Sequence, residues 1–405
     1  MIKTSSRPLR LRARCPSQHL PGLQLPHRPR QLRWYAQPKT RPPTAIFFPG
    51  QGVQRVGMIQ PWLETFPSTV KPILSEIDEI VKYPLTKVIA EGTNAELTAT
   101  ENAQPAIMAT SIVILGVLEK DFGFKVDERV DFTLGHSLGE FAALVAGGYL
   151  QFADGLKLVR RRAEVMARVS REASREIGGE VGMVALVASD ETSMNTLIHD
   201  IHDFLGHGSA GSKQDSAHHV PPVEQVLIAN INSKNQIVLS GSIEKIKDLL
   251  THLRQFGGHD PRHVRLKSDS PFHSPLMKPA EDLMKKMLHT PGKDGKDMVT
   301  FPGTVPCVSN VTAVPFKSKE QLKDLLARQA TATVRWWDSV RYLHQEQKVR
   351  RWIGIGPGKV GRNLVGKEVG MKGAGKGGGV WGVTDPKDIE EILRALEETE
   401  GAQTE

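Results

Sequence analysis

The stretch Val130-Asp131-Phe132-Thr133-Leu134-Gly135-His136-Ser137-Leu138-Gly139-Glu140 sets the class of this chain. Residues 130–134 read as a short strand that Gly135 breaks, and residues 138–147 read as a helix of small residues. A serine framed by two glycines between a strand and a helix has the setting of a nucleophile elbow. The glycines permit a sharp turn that leaves the Ser137 hydroxyl exposed. The Leu138 N–H, at the start of the helix, is then free to bind an oxyanion. His136 adjoins the serine, but neighbours on such a turn point apart, so the general base is expected elsewhere.

The flanking sequence extends an α/β pattern. Residues 44–49 (TAIFFP) read as a buried strand that enters the turn Gly50-Gln51-Gly52. Residues 101–120 are too long and apolar for a strand and predict a buried helix with Pro105 in its first turn. A helix over 153–169 carries Arg160-Arg161-Arg162. Beyond it the pattern becomes β-α-β-β-α-β: strand 182–188, a helix capped by Asp190, strands 223–232 and 236–240, helix 242–255 and strand 262–266. That order predicts a ferredoxin-like module inserted in a larger domain. Residues 206–220 are Ser/Gly/His-rich and of low complexity. Helices are then expected at 281–288, 320–330 and 385–397, with strands at 305–309 and 349–355. The Gly/Lys-rich run 366–379 reads as a loop.

The best candidate for a general base is His273, in Ser270-Pro271-Phe272-His273-Ser274-Pro275. The two prolines would hold it on a rigid, non-helical turn. Gly361 to Lys367 has the GxxxxGK spacing, but Glu368 stands where a phosphate loop needs Ser or Thr, and Gly370 to Lys376 is followed by Gly377. Neither predicts a nucleotide site. Cys15 and Cys307 give no disulfide framework, and no histidine spacing suggests a metal.

Composition narrows the class further. The chain has 405 residues, with 39% hydrophobic and 24% charged. Its longest nearly apolar run, 106–118, is too short for a membrane span, which needs roughly 20 residues. The net charge of +8 is concentrated at one end. No Asp or Glu precedes Glu64, while residues 1–35 carry eight Lys and Arg. That equals the whole excess, so it reads as an address rather than a nucleic-acid footprint. Arg33-Trp34-Tyr35-Ala36 resembles a mitochondrial processing site, with cleavage after Tyr35. A transit peptide over 1–35 and a location in the mitochondrial matrix are therefore expected.

Several motifs stand in one order: Phe48-Pro49-Gly50-Gln51-Gly52, Thr100-Glu101-Asn102-Ala103-Gln104-Pro105-Ala106, the Ser137 elbow, Arg162 with Met166, the His273 segment, and Gly356-Pro357-Gly358-Lys359-Val360. In this the chain resembles the malonyl-CoA:acyl carrier protein transacylase family. The resemblance implies an α/β-hydrolase-like large domain, here 44–180 and 260–400, carrying the ferredoxin-like subdomain 181–259. It implies Ser137 as the acylated nucleophile and His273 as its base. It assigns the oxyanion hole to the N–H groups of Gln51 and Leu138, and the malonyl carboxylate to Arg162. Gln329 matches the residue whose backbone carbonyl orients the histidine. Malonyl-CoA is then a substrate and no cofactor is needed. Acyl carrier protein is the partner, and a monomer without a nucleic-acid partner or a membrane span is expected. A serine esterase or thioesterase would share the elbow and is the alternative. Helical geometry predicts that Arg160 and Arg161 face solvent.

Overall fold

A computed structural model describes residues 41–205, 225–268, 270–292, 295–371 and 378–400. The expected leader 1–35, the 206–220 stretch and the middle of the Gly/Lys-rich run lie outside these residues. In chain order the strands are β1 (Thr44–Phe48), β2 (Phe132–Gly135), β3 (Val181–Val187), β4 (Leu227–Ser233), β5 (Gln236–Ser242), β6 (Arg262–Arg265), β7 (Arg351–Ile355) and β8 (Gly379–Val383).

They form two sheets, ordered β2-β1-β7-β8 and β4-β5-β3-β6. The first is parallel throughout. The second is antiparallel throughout. In the parallel sheet β1 and β7 are buried at every residue. Their sequences TAIFF and RWIGI lack the alternation of a strand with one wet face. Helices cover both faces. On one, Ile46 and Phe48 pack into a large core with the helices Thr100–Phe122 and Gly139–Ala146. On the other, Phe47 and Ala45 meet Trp336, Trp352 and Val380.

The register places Phe48 beside Gly135. The turn after β1 and the turn after β2 therefore leave the carboxyl end of the sheet side by side, where open α/β sheets place their ligands. Thr100–Phe122 is buried on nearly all sides and ends at Gly123 in the left-handed conformation. The 26-residue helix Phe152–Ile177 joins the two layers. Its buried face, Leu156-Val159-Ala163-Met166-Ser170-Ala173, repeats at three- and four-residue steps, with Arg162 buried beside it. Leu156 and Val159 belong to the large core, while Met166 and Ala173 pack with Val181 and Met183 of β3.

Some expectations are corrected. Residues 305–309 form no strand. They touch β2 through one bridge, Thr133 to Cys307. Pro306 has no N–H to extend the ladder, and the chain then turns away at Asn310. The 366–379 run is not a loop throughout, since its first residues close the helix Val360–Val369 and Gly379 opens strand β8 (Gly379–Val383). The Gly361 to Lys367 spacing falls inside that helix rather than on a loop between a strand and a helix. The helices at Gln60–Thr65, Pro67–Val81, Leu85–Glu91 and Asn94–Thr98 were not anticipated.

Candidate active site

Ser137 lies on the turn between β2 and the helix Gly139–Ala146, with φ of 51°. A non-glycine residue in the left-handed region is strained and must be held there by its surroundings. Two glycines make the turn possible. A Cβ at Gly135 would lie 2.0 Å from the Gly139 carbonyl, and one at Gly139 would lie 2.5 Å from the Phe48 oxygen. The strained peptide is clamped at both ends. The Ser137 N–H donates to Asn310 Oδ1 at 2.8 Å, and Gln329 Nε2 donates to the Ser137 carbonyl at 2.8 Å.

His273 meets this turn from the segment that returns from β6. It too has a positive φ, 57°, and it is buried. Its Nε2 is 2.8 Å from Ser137 Oγ. Its Nδ1 lies 2.8 Å from the Gln329 carbonyl and 3.1 Å from that of Ala332. Carbonyl oxygens only accept, so Nδ1 carries the proton and Nε2 is free to take one from the serine. Burial, reinforced by the nearby Arg162 charge, pushes the imidazole down to about 3. At neutral pH it is uncharged, the state a general base requires.

Arg162 enters from the long helix and is 1% exposed. Its Nη1 donates to Gln104 Oε1 at 2.7 Å, and its Nη2 donates to Gln329 Oε1 at 2.8 Å. Nη2 also lies 3.3 Å from Ser137 Oγ. Burial pushes the guanidinium down to about 10, so it stays charged at neutral pH. Among the described residues no carboxylate forms an ion pair with it. Arg161 faces solvent as expected, with its side chain 58% exposed, but Arg160 does not. Arg160 donates to the Glu101 carbonyl at 2.7 Å and lies over the Tyr83 ring. The geometry that turns it away from Arg162 turns it into the start of the helix Thr100–Phe122.

Leu138 is buried at the head of the elbow helix. Gln51 is in the turn after β1, where its side chain touches Thr100 and Gln104. Among the described residues neither backbone N–H has a hydrogen-bond acceptor.

Gln329 does more than its backbone was expected to do. Its side chain links Arg162, the Ser137 carbonyl and Glu140 Oε2, the last at 2.8 Å. Asn310 and Glu140 were not foreseen. The Asn310 N–H donates to Glu140 Oε1 at 3.0 Å, and Asn310 Nδ2 donates to the Gly135 carbonyl at 2.6 Å. Glu140 is fully buried, which pushes its carboxyl up to about 7 against the pull of Gln329, Asn310 and Arg162. His136 points away from the serine and pairs with Asn232 Oδ1 of β4 at 2.9 Å. No group of three or more His, Cys, Asp or Glu among the described residues is placed to hold a metal. No described helix is long and apolar enough to cross a membrane.

A serine, a neutral histidine and a buried, carboxylate-free guanidinium thus share one point at the end of the parallel sheet. Residues 46–193 match the acyl transferase domain family. The malonyl CoA-acyl carrier protein transacylase of Bacillus subtilis is 35% identical over 354 residues, 87% of this chain and 97% of that protein. The chain belongs to the malonyl CoA-acyl carrier protein transacylase family. Its fold matches the crystal structure of the acyl-carrier-protein S-malonyltransferase of Bartonella henselae with a TM-score of 0.70 and 31% identity, covering 88% of this chain and 99% of that one. A type II PKS acyl-carrier protein in complex with its malonyl-transacylase matches at 0.70 and 28% identity, over 87% and 99%. These relatives share the pairing of a parallel and an antiparallel sheet.

Proposed function

We propose that this protein moves a malonyl group from malonyl-CoA to the phosphopantetheine thiol of acyl carrier protein through an ester on Ser137. The observation that carries this reading is the buried Arg162 guanidinium, 3.3 Å from Ser137 Oγ, whose hydrogen bonds among the described residues go to amide oxygens and the serine and not to a carboxylate. A buried cation with no carboxylate in direct contact is costly, and a carboxylate ligand would recover part of that cost. Malonyl supplies that carboxylate two bonds from the reacting carbonyl, and the planar guanidinium can grip both its oxygens.

Ser137 Oγ attacks the thioester carbonyl while His273 Nε2 takes its proton. The developing oxyanion is received by the Gln51 and Leu138 N–H groups. The C–S bond breaks, and coenzyme A leaves with the proton from His273. The thiol of the carrier protein then attacks the serine ester, again giving its proton to His273. Ser137 recovers its proton as the new thioester departs. The Gln329 carbonyl, not a carboxylate, fixes the histidine tautomer, so the unit is a Ser–His dyad. The esterase alternative is not favoured, because the relatives that match along nearly their whole length are transacylases.

The same reading extends to the finer architecture and location. The parallel layer is taken as α/β-hydrolase-like and the β3–β6 layer as ferredoxin-like, with limits at 44–180, 181–259 and 260–400. The acid-free basic leader supports cleavage after Tyr35 and a role in mitochondrial fatty acid synthesis in the matrix, as a monomer and without a cofactor.

The test is the malonyl-to-acetyl ratio of kcat/KM. Arg162→Ala is expected to cut malonyl transfer by about 10²- to 10³-fold, equivalent to roughly 3–4 kcal/mol, and to keep acetyl transfer. An unchanged ratio would refute the assignment.

A further inference from the structure

Glu140 is a carboxyl group with no exposure, set behind the serine rather than beside the substrate. Each of its oxygens faces an N–H donor: Oε1 the Asn310 backbone, Oε2 the Gln329 side chain. In its ionised form Glu140 only accepts, and so favours the NH₂ end of Gln329 pointing toward it. That end also donates to the Ser137 carbonyl, a second group that only accepts. The Gln329 oxygen is left to face Arg162 Nη2. Were the amide turned over, its NH₂ would meet the guanidinium donor to donor, and its oxygen would meet the Ser137 carbonyl and Glu140. Two negative groups thus fix the amide's sense, and the amide in turn fixes the cation.

The arrangement has a chemical use. Glu140 is the carboxylate whose charge acts on Arg162, yet it reaches the guanidinium only across Gln329. A direct ion pair would occupy the fork that a substrate carboxylate needs. A carboxylate one amide away offsets the buried charge without itself contacting the guanidinium, which is held by neutral groups instead. We propose that Glu140 is a positioning residue that sets which end of the Gln329 amide faces Arg162, and so tunes the site for an acyl group ending in a carboxylate. This rests on the transacylase reading above and goes beyond it, since Glu140 touches no reacting atom.

Glu140→Gln tests it. The isosteric amide has one acceptor for two donors, so either Gln329 or the Asn310 N–H loses its partner, and in both cases the neutral group no longer offsets Arg162. The malonyl-to-acetyl ratio of kcat/KM is expected to fall by about tenfold or more. Glu140→Asp, which still only accepts, should keep the ratio within about threefold of the parent even if both rates drop. A residue needed merely for folding would lower both rates together and leave the ratio alone. A parental ratio in folded Glu140→Gln, or equal ratios in the Gln and Asp variants, overturns the proposal. If Glu140→Gln cannot be recovered folded, Gln329→Leu tests the same relay from its other end: a fall in the ratio of about tenfold supports it, and a parental ratio overturns it. Failure of the transacylase reading looks different, because the unmutated protein would then not take malonyl onto Ser137 at all.

Discussion

In the parallel sheet β1 and β7 are buried along their whole length, whereas β6, an edge of the antiparallel sheet, is exposed at all four residues. The parallel layer supplies the elbow and the Gln51 turn. From the antiparallel layer, Asn232 hydrogen-bonds His136 of the elbow. His273 follows β6 in the chain but is oriented by Gln329 and Ala332, which precede β7. The contrast teaches that the elbow is built on wholly buried strands, while the antiparallel layer supports the chemistry by packing Met183 and Val238 against Phe272 and Leu276, on either side of His273.

Substitutions can break or sharpen that division. The largest effect is expected at the dyad. His273→Ala should slow malonyl transfer by about 10³-fold or more, because an unassisted serine is a poor nucleophile at neutral pH. Stopped-flow or steady-state kinetics with malonyl-CoA and carrier protein read this directly; a loss under about tenfold would mean another base serves. Asn232→Ala comes next, and in stability rather than rate. It removes the acceptor of the partly buried His136 ring and should cost about 1 kcal/mol in denaturant unfolding. An activity loss matching that of His273→Ala would erase the distinction between the layers. The smallest effects belong to the long helix. Arg160→Ala should cost about 1 kcal/mol through its lost bonds to Glu101 and Asn102, while Arg161→Ala should stay within about 0.5 kcal/mol. Equal thermal shifts in the two would contradict the burial difference.

The elbow, the buried β1 and the long amphipathic helices are legible in the sequence because each declares itself within a dozen residues. Two glycines around Ser137, an unbroken apolar run in β1 and a three-four spacing in Phe152–Ile177 are local signals. Asn310 and Glu140 are not. Asn310 meets Ser137 across 173 positions, and nothing near it in the chain distinguishes it from an ordinary turn asparagine. Glu140 stands in full view after Gly139, but a glutamate in a first helical turn normally reads as a solvated match to the helix dipole. Its burial is a tertiary fact, created by Gln329 and Asn310 arriving from the far end of the chain. Strand β8 was masked by the glycines around it, and Arg160 was misplaced because helical phase says which residues diverge, not what else waits on the other side.

The central claim is that Ser137 carries the malonyl group between donor and acceptor. Intact-protein mass spectrometry after brief exposure to malonyl-CoA tests it most directly, followed by peptide mapping of the adduct and addition of holo carrier protein. One malonyl adduct is expected, confined to the Ser137 peptide, absent in Ser137→Ala and discharged onto the carrier thiol. An adduct that persists in Ser137→Ala, or no adduct in the unmutated protein, would contradict it.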